Sequence, residues 1–212
     1  VAPSQARAGA AELGARTSEL IEAGRVIDAR GWVPATSGNL SARLSDGTVA
    51  ITASGRHKGA LRPADILRVD EEGRSLDGRH PSAETALHLA RYRRDPSVGA
   101  VLHPHSPGAT LISRVLDGHL VLEGYELLKA LDGVETHEAR VVIPIFPNDQ
   151  DIPRLAARVD EYLDSHGDVP GYLIAGHGFY TWGATVPDAL RHVEALEHLF
   201  DLELRLHGVK RP

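Results

Sequence analysis

Short β-type runs closed by tight turns, interleaved with amphipathic helical stretches, leave few architectures open to this chain. Residues 39–44 and 48–53 are strand-like and are joined by Ser45-Asp46-Gly47, residue types that make a hairpin turn. Residues 98–103, 140–146, 171–175 and 179–182 are further strand candidates, the last two paired across a loop that carries His177. Helical periodicity fills the gaps. Leu13, Thr17, Leu20, Ile21, Gly24 and Ile27 follow helical spacing in a first helix predicted from about Ser4 to Arg30, with Gly31 as its stop. Further helices are predicted from Ser82, a good N-cap, to just before Asp95-Pro96, and over 106–115, 152–165 and 187–206. Pro153 suits a first helical turn, and Gly167 and Gly208 suit helix ends. Strands flanked by helices and joined by hairpin-length turns predict an α/β fold with a mixed, largely antiparallel sheet covered by helices. With no repeat, low-complexity tract or Pro/Gly/Ser-rich linker, a single domain over residues 1–212 is expected.

Composition narrows the function classes. A formal charge of −6 with no long basic cluster argues against a nucleic-acid partner. The nearest thing to a basic run, Arg91, Arg93 and Arg94, is expected to form a solvated helix face. No apolar run approaches the roughly 20 residues that span a bilayer, so no membrane partner is expected. The opening Val1-Ala2-Pro3-Ser4-Gln5 lacks the basic start and apolar core of a secretory signal, and a cytoplasmic location is the default expectation. With zero cysteines, disulfides, thiolate-bound zinc and thiol catalysis are excluded.

The chemistry-bearing residues are histidines and carboxylates. His103-Pro104-His105 closes a short apolar run, and side chains two apart on an extended backbone project from the same side, aiming two ring nitrogens at one point. With 12 histidines in 212 residues, chance supplies roughly 0.7 such pairs, so the pair matters through its company. His177 lies between two glycines, which let backbone crowd a site. His103, His105 and His177 together would offer three neutral imidazoles, a set that suits zinc and is open to iron, cobalt or manganese. The ordinary alternative is a core histidine at 103 and a loop histidine at 177. Two other contexts for such a pair are set aside. A cupin site wants a Glu where Ala109 and Thr110 stand, and an amidohydrolase barrel places its pair on the first strand of a longer chain.

Glu84 is expected in the first turn of a helix, where the dipole favours its ionised form, on one face with His88. The hydroxyl-rich loops 36–41 and 52–56 could offer N–H groups and hydroxyls to a phosphate, although turn chemistry explains them equally well. Neither is a P-loop, and no G-x-S-x-G nucleophile elbow is present.

Taken in order, these pieces resemble the class II aldolase/adducin superfamily. The matching segments are ATSGNLS (35–41), ITASGRHKG (51–59), PSAETALH (81–88), VLHPHS (101–106), GYELLKAL (124–131), IPIFPNDQDI (143–152), GYLIAGHGFYTWG (171–183) and RHVEALEHLF (191–200). The superfamily pattern is GN.S, S.E...H, H.HS and GHG; GYELLKAL, NDQDI and HGFYTWG are similar to its methionine-salvage dehydratase branch. The resemblance implies a three-layer α/β/α fold, a homotetramer with sites near subunit interfaces, and one zinc per subunit held by His103, His105 and His177. Gly38, Asn39, Ser54, Gly55 and Ser82 match phosphate-binding positions, with Lys58 close by. Glu84 matches the carboxylate that class II aldolases use as acid/base or extra metal ligand, and Glu126 the acid/base glutamate of the dehydratases. The implied reaction removes water from 5-methylthioribulose 1-phosphate, a small phosphorylated ketose, through a metal-stabilised enolate to a diketone. A sugar-phosphate aldolase or epimerase is the nearest alternative, and a non-catalytic adducin-like association module is one of another class. Pro104 and Ala175 depart from the branch, which commonly has Thr and Arg there; neither removes an implied ligand.

Overall fold

The computed structural model describes residues 3–208, with side chains from residue 9 onward; Val1 and Ala2, the start of the segment read for a secretory signal, lie outside the described residues. In chain order the elements are α1 (Pro3–Ala29), β1 (Asn39–Arg43), β2 (Val49–Thr52), β3 (Ile66–Val69), α2 (Thr85–Arg94), β4 (Ala100–His103), α3 (Pro107–Val115), β5 (His119–Leu122), β6 (Val141–Phe146), α4 (Ile152–His166), β7 (Gly171–Ile174), β8 (Gly178–Gly183) and α5 (Val186–Leu206). Short 3-10 turns occupy Lys58–Ala60, Pro63–Asp65 and Glu126–Ala130. Among the described residues no helix is long and apolar enough to cross a membrane.

The strands form one eight-stranded sheet in the order β3-β2-β1-β4-β8-β7-β6-β5. Neighbours are antiparallel except β6 and β7, whose parallel pairing covers only Ile145 with Leu173 and Phe146 with Ile174. Period-two alternation divides the side chains between two cores. Leu40, Leu102, Leu173 and Phe179 face one core with Leu20, Ile27, Ile112, Leu196 and Phe200, from α1, α3 and α5. Ile51, Val101, Tyr172 and Tyr180 face the other with Leu87, Tyr92, Leu155 and Val159, from α2 and α4. Helices therefore cover both faces of a mixed, largely antiparallel sheet, as expected. Packing between layers is close at one notch of α1: Gly24 lies against the Lys58 backbone, where a Cβ would collide with the Lys58 carbonyl.

Three details correct the sequence reading. Strands β3 and β5 were not anticipated; each is four residues long, and Arg68 and the exposed His119 break their apolar character. Helix α2 begins at Thr85 rather than Ser82, because Thr85 folds back onto the Ser82 carbonyl through both its N–H and its hydroxyl; Glu84 stands at the cap, not in the first turn. The arginines do not share a solvated face. Arg93 is exposed, but Arg91 is one turn on from Leu87 and His88 and is carried inward. Its guanidinium lies 4.1 Å from the Trp182 ring centroid and pairs with Asp95 and Asp168.

Candidate metal centre

The site forms where the C-terminal ends of β4 and β7 meet the N-terminal ends of β1 and β8. His103 is the last residue of β4, in register with Asn39 of β1. The chain leaves the strand at Pro104, and the His105 N–H donates to the Trp32 carbonyl at 2.9 Å, which fixes the direction of the second imidazole. His177 sits in the tight turn between β7 and β8, its N–H donating to Ile174 O at 3.0 Å. Gly178 is required beside it, since a Cβ there would meet the Pro104 carbonyl and the His103 ring.

These connections bring four ligand groups together. Nε2 of His105 lies 2.8 Å from Nε2 of His103 and 3.0 Å from Nε2 of His177. The Glu84 carboxylate reaches Nε2 of His177 at 3.1 Å and Nε2 of His103 at 3.4 Å. All four ligand atoms fall within 4.8 Å of one another.

The donor chemistry fits a divalent cation. His103 Nδ1 donates to the Phe179 carbonyl at 2.7 Å, which leaves its Nε2 lone pair facing the cluster, and its ring stacks on Tyr180 with centroids 3.9 Å apart. Burial, reinforced by the neighbouring His103 and His177, lowers the His105 pKa to about 3, so that imidazole is neutral at ordinary pH. Burial pushes the Glu84 carboxyl up, yet hydrogen bonds and charge from His103 and His177 outweigh it and hold the group well below the usual carboxylate range. His177 Nδ1 is buried with no partner among the described residues, consistent with a ring whose working atom is Nε2. Lone pairs this close repel unless a cation lies between them. Three imidazole nitrogens and one carboxylate are a donor set for a divalent transition metal.

Beside the cluster is a cavity of about 280 Å³ lined by Gly38, Asn39, Ser54, Gly55, Ser82, Glu84, His105 and His177, so the structure gathers most of the expected site residues. Lys58 is placed behind it: fully buried, its ammonium donates to the carbonyls of Thr36 at 2.9 Å and Arg56 at 2.7 Å, bracing the two hydroxyl-rich loops. Burial lowers its pKa to about 8 against the opposing pull of Glu84. Glu126 is not brought to the cluster. It opens the 3-10 turn Glu126–Ala130, is largely exposed, and contacts Lys129 and His137. Asn148, Asp149 and Gln150 also line the cavity. Sequence reasoning did not assign them to the site, although the NDQD run (148–151) was a visible polar interruption after an apolar strand.

The chain belongs to the class II aldolase and adducin family: residues 18–204 match the family described as "Class II Aldolase and Adducin N-terminal domain". Among solved structures it is similar to Escherichia coli YgbL, with TM-score 0.79 and 27% identity over 92% of this chain and 91% of that one. It is also similar to the L-fuculose-1-phosphate aldolase of Thermus thermophilus, with TM-score 0.74 and 27% identity over 93% and 98% of the two chains. Its sequence is 69% identical to the methylthioribulose-1-phosphate dehydratase of Methylococcus capsulatus, over 94% of this chain and 98% of that protein. Identity with the Pseudomonas syringae pv. syringae protein of the same name is 58%, over 90% and 95% of the two.

Proposed function

We propose that this chain is a metal-dependent dehydratase that removes water from 5-methylthioribulose 1-phosphate, giving 2,3-diketo-5-methylthiopentyl 1-phosphate in methionine salvage. The observation that carries the reading is identity of 69% with a methylthioribulose-1-phosphate dehydratase over nearly the whole chain, in a fold that retains the complete His/Glu cluster.

Zinc, held by His103, His105 and His177, is the proposed metal; when bound it supplies Lewis acidity toward the ketose oxygens, worth several kcal/mol. The rest is the work of side chains. The substrate's C2 carbonyl acidifies the C3 proton, and its C4 hydroxyl is β to that carbonyl. A carboxylate takes the C3 proton, an acid protonates the departing C4 hydroxyl, and the enol product ketonises. Such acid/base assistance contributes about 10²–10⁴-fold. Within one chain Glu84 is the carboxylate at the cluster. Glu126 is the proposed proton-transfer group on the strength of the GYELLKAL resemblance, with Glu84 the second candidate; exposed and outside its own chain's cavity, Glu126 would act from a neighbouring subunit of the proposed homotetramer. Gly38, Asn39, Ser54, Gly55 and Ser82, braced by Lys58, hold the phosphate, converting remote binding into alignment at C3 and C4. The proposed unit is a single cytoplasmic domain.

The test is mass-spectrometric detection of the dehydrated diketone from 5-methylthioribulose 1-phosphate, with fuculose and ribulose phosphates run alongside. Turnover of the latter alone points to an aldolase or epimerase. Purified protein that carries no transition metal and takes up no zinc points to an association module.

A further inference from the structure

The mechanism above makes no use of His88, although it is fully buried and joins the cavity to the protein interior through an unbroken line of hydrogen bonds. The Asn39 amide nitrogen lies 2.6 Å from a Glu84 oxygen and 3.1 Å from the Ser82 hydroxyl, while its amide oxygen bonds His88 Nε2. On the far side, His88 Nδ1 is 2.7 Å from the Ser41 hydroxyl, which is 2.8 Å from the Tyr92 hydroxyl.

The polarity of this line is fixed by what each end can do. The Glu84 carboxylate can only accept, so Asn39 must present its NH₂ to it, and its oxygen then faces His88. His88 Nε2 must therefore carry the ring proton, leaving Nδ1 to accept from Ser41, which in turn accepts from Tyr92. The reverse tautomer would turn the Asn39 oxygen onto the Glu84 oxygen. At the other end, Ser82 Oγ already accepts from Asn39 and from the Glu84 N–H at 3.3 Å, so its single proton remains to be donated into the cavity. The Asn39 amide is saturated by these three partners. It has no free donor for a ligand unless it releases Ser82 or Glu84.

We infer that His88 is a positioning residue that, through Asn39, turns the Ser82 hydroxyl into a dedicated donor for the substrate phosphate and steadies the Glu84 carboxylate. This rests on the proposed phosphate role of the cavity. It changes the part played by Asn39, whose side chain orients the phosphate ligand Ser82 instead of binding phosphate itself. Once polarised, such a line loses little by reorganisation when an anion arrives, because the Ser82 proton is already free to meet it.

Two measurements test this. Imidazole ¹⁵N spectra of the metal-loaded protein should show His88 neutral with its proton on Nε2; a proton on Nδ1 overturns the inference whatever the variants do. Binding of inorganic phosphate to the metal-loaded protein should then be compared for wild type, His88→Leu, Ser82→Ala and the double variant. His88→Leu should weaken phosphate about tenfold in the wild-type background, the usual size for an orphaned buried polar group. It should cost less than about threefold where Ser82 is already Ala, since the two act on one donor. His88→Gln, which keeps an N–H for Asn39, should restore most of the affinity. Equal losses in both backgrounds would mark His88 as a packing residue and overturn the inference. Phosphate binding is read without turnover, so failure of the proposed reaction would show as wild-type inactivity with the coupling intact.

Discussion

The sheet has a cavity at each end, and the larger is not the one beside the histidine cluster. The space beside the histidine cluster is about 280 Å³, whereas that at the opposite end, lined by Arg91, Asp132, Arg140, Trp182 and His192, is about 800 Å³. What separates them is how their polar groups are used. At the large end, Arg91 is paired with Asp95 and Asp168 and covered by Trp182, and His192 is bonded to the Trp182 carbonyl and the Asp132 N–H. Those groups hold the fold. At the small end, three imidazole nitrogens and a carboxylate oxygen converge within 4.8 Å of one another, a set that could hold a metal ion. A convergent ligand set marks a candidate site better than volume does.

Breaking the small end should have the largest effect. His105→Ala is expected to remove both bound metal and turnover, a loss on the order of 10³-fold or more, followed by metal analysis and initial rates. Glu126→Gln should keep the metal and lose about 10²–10⁴-fold in kcat; full activity in that variant would move proton transfer to Glu84. Lys58→Met should raise KM for the phosphorylated substrate roughly tenfold, the size of one charge-assisted hydrogen bond. Because burial brings Lys58 to about 8, its positive charge is present below that pH and lost above it. Wild-type KM should therefore rise as pH climbs through about 8, and the Met variant should lack that limb. Arg91→Ala, at the large end, should leave kcat and KM unchanged while costing about 1–2 kcal/mol of stability, through the cation–π contact and its ion pairs, read by denaturant melts. A kinetic defect there would blur the distinction between the two ends.

The sequence showed most of the strands and helices, because alternation and 3.6-residue periodicity report which face is buried. It showed the members of the histidine cluster too: His103 and His105 by their spacing, His177 by the glycines that let the β7–β8 turn press against Pro104. It did not show β5, whose apolar run is short and opens on an exposed histidine. Nor did it show the burial of Arg91, a charge brought inside by partners distant in sequence, Asp168 and Trp182. The saturation of Asn39 was equally hidden, for it depends on His88 and Glu84, more than forty positions away, arriving with opposite hydrogen-bonding demands. Local pattern reveals elements and candidate donors. Which donors are spent on one another is a property of the assembled tertiary structure.

The notch at Gly24 ties helix α1 to the two loops proposed to hold a sugar phosphate. No described side chain of α1 lines the cavity, yet a single methyl group at that position would press on the Lys58 carbonyl and shift the ammonium that clasps both loops. A screen for weakened substrate affinity should therefore recover changes at Gly24 as remote hits, while substitutions on the solvent side of the same helix pass unnoticed.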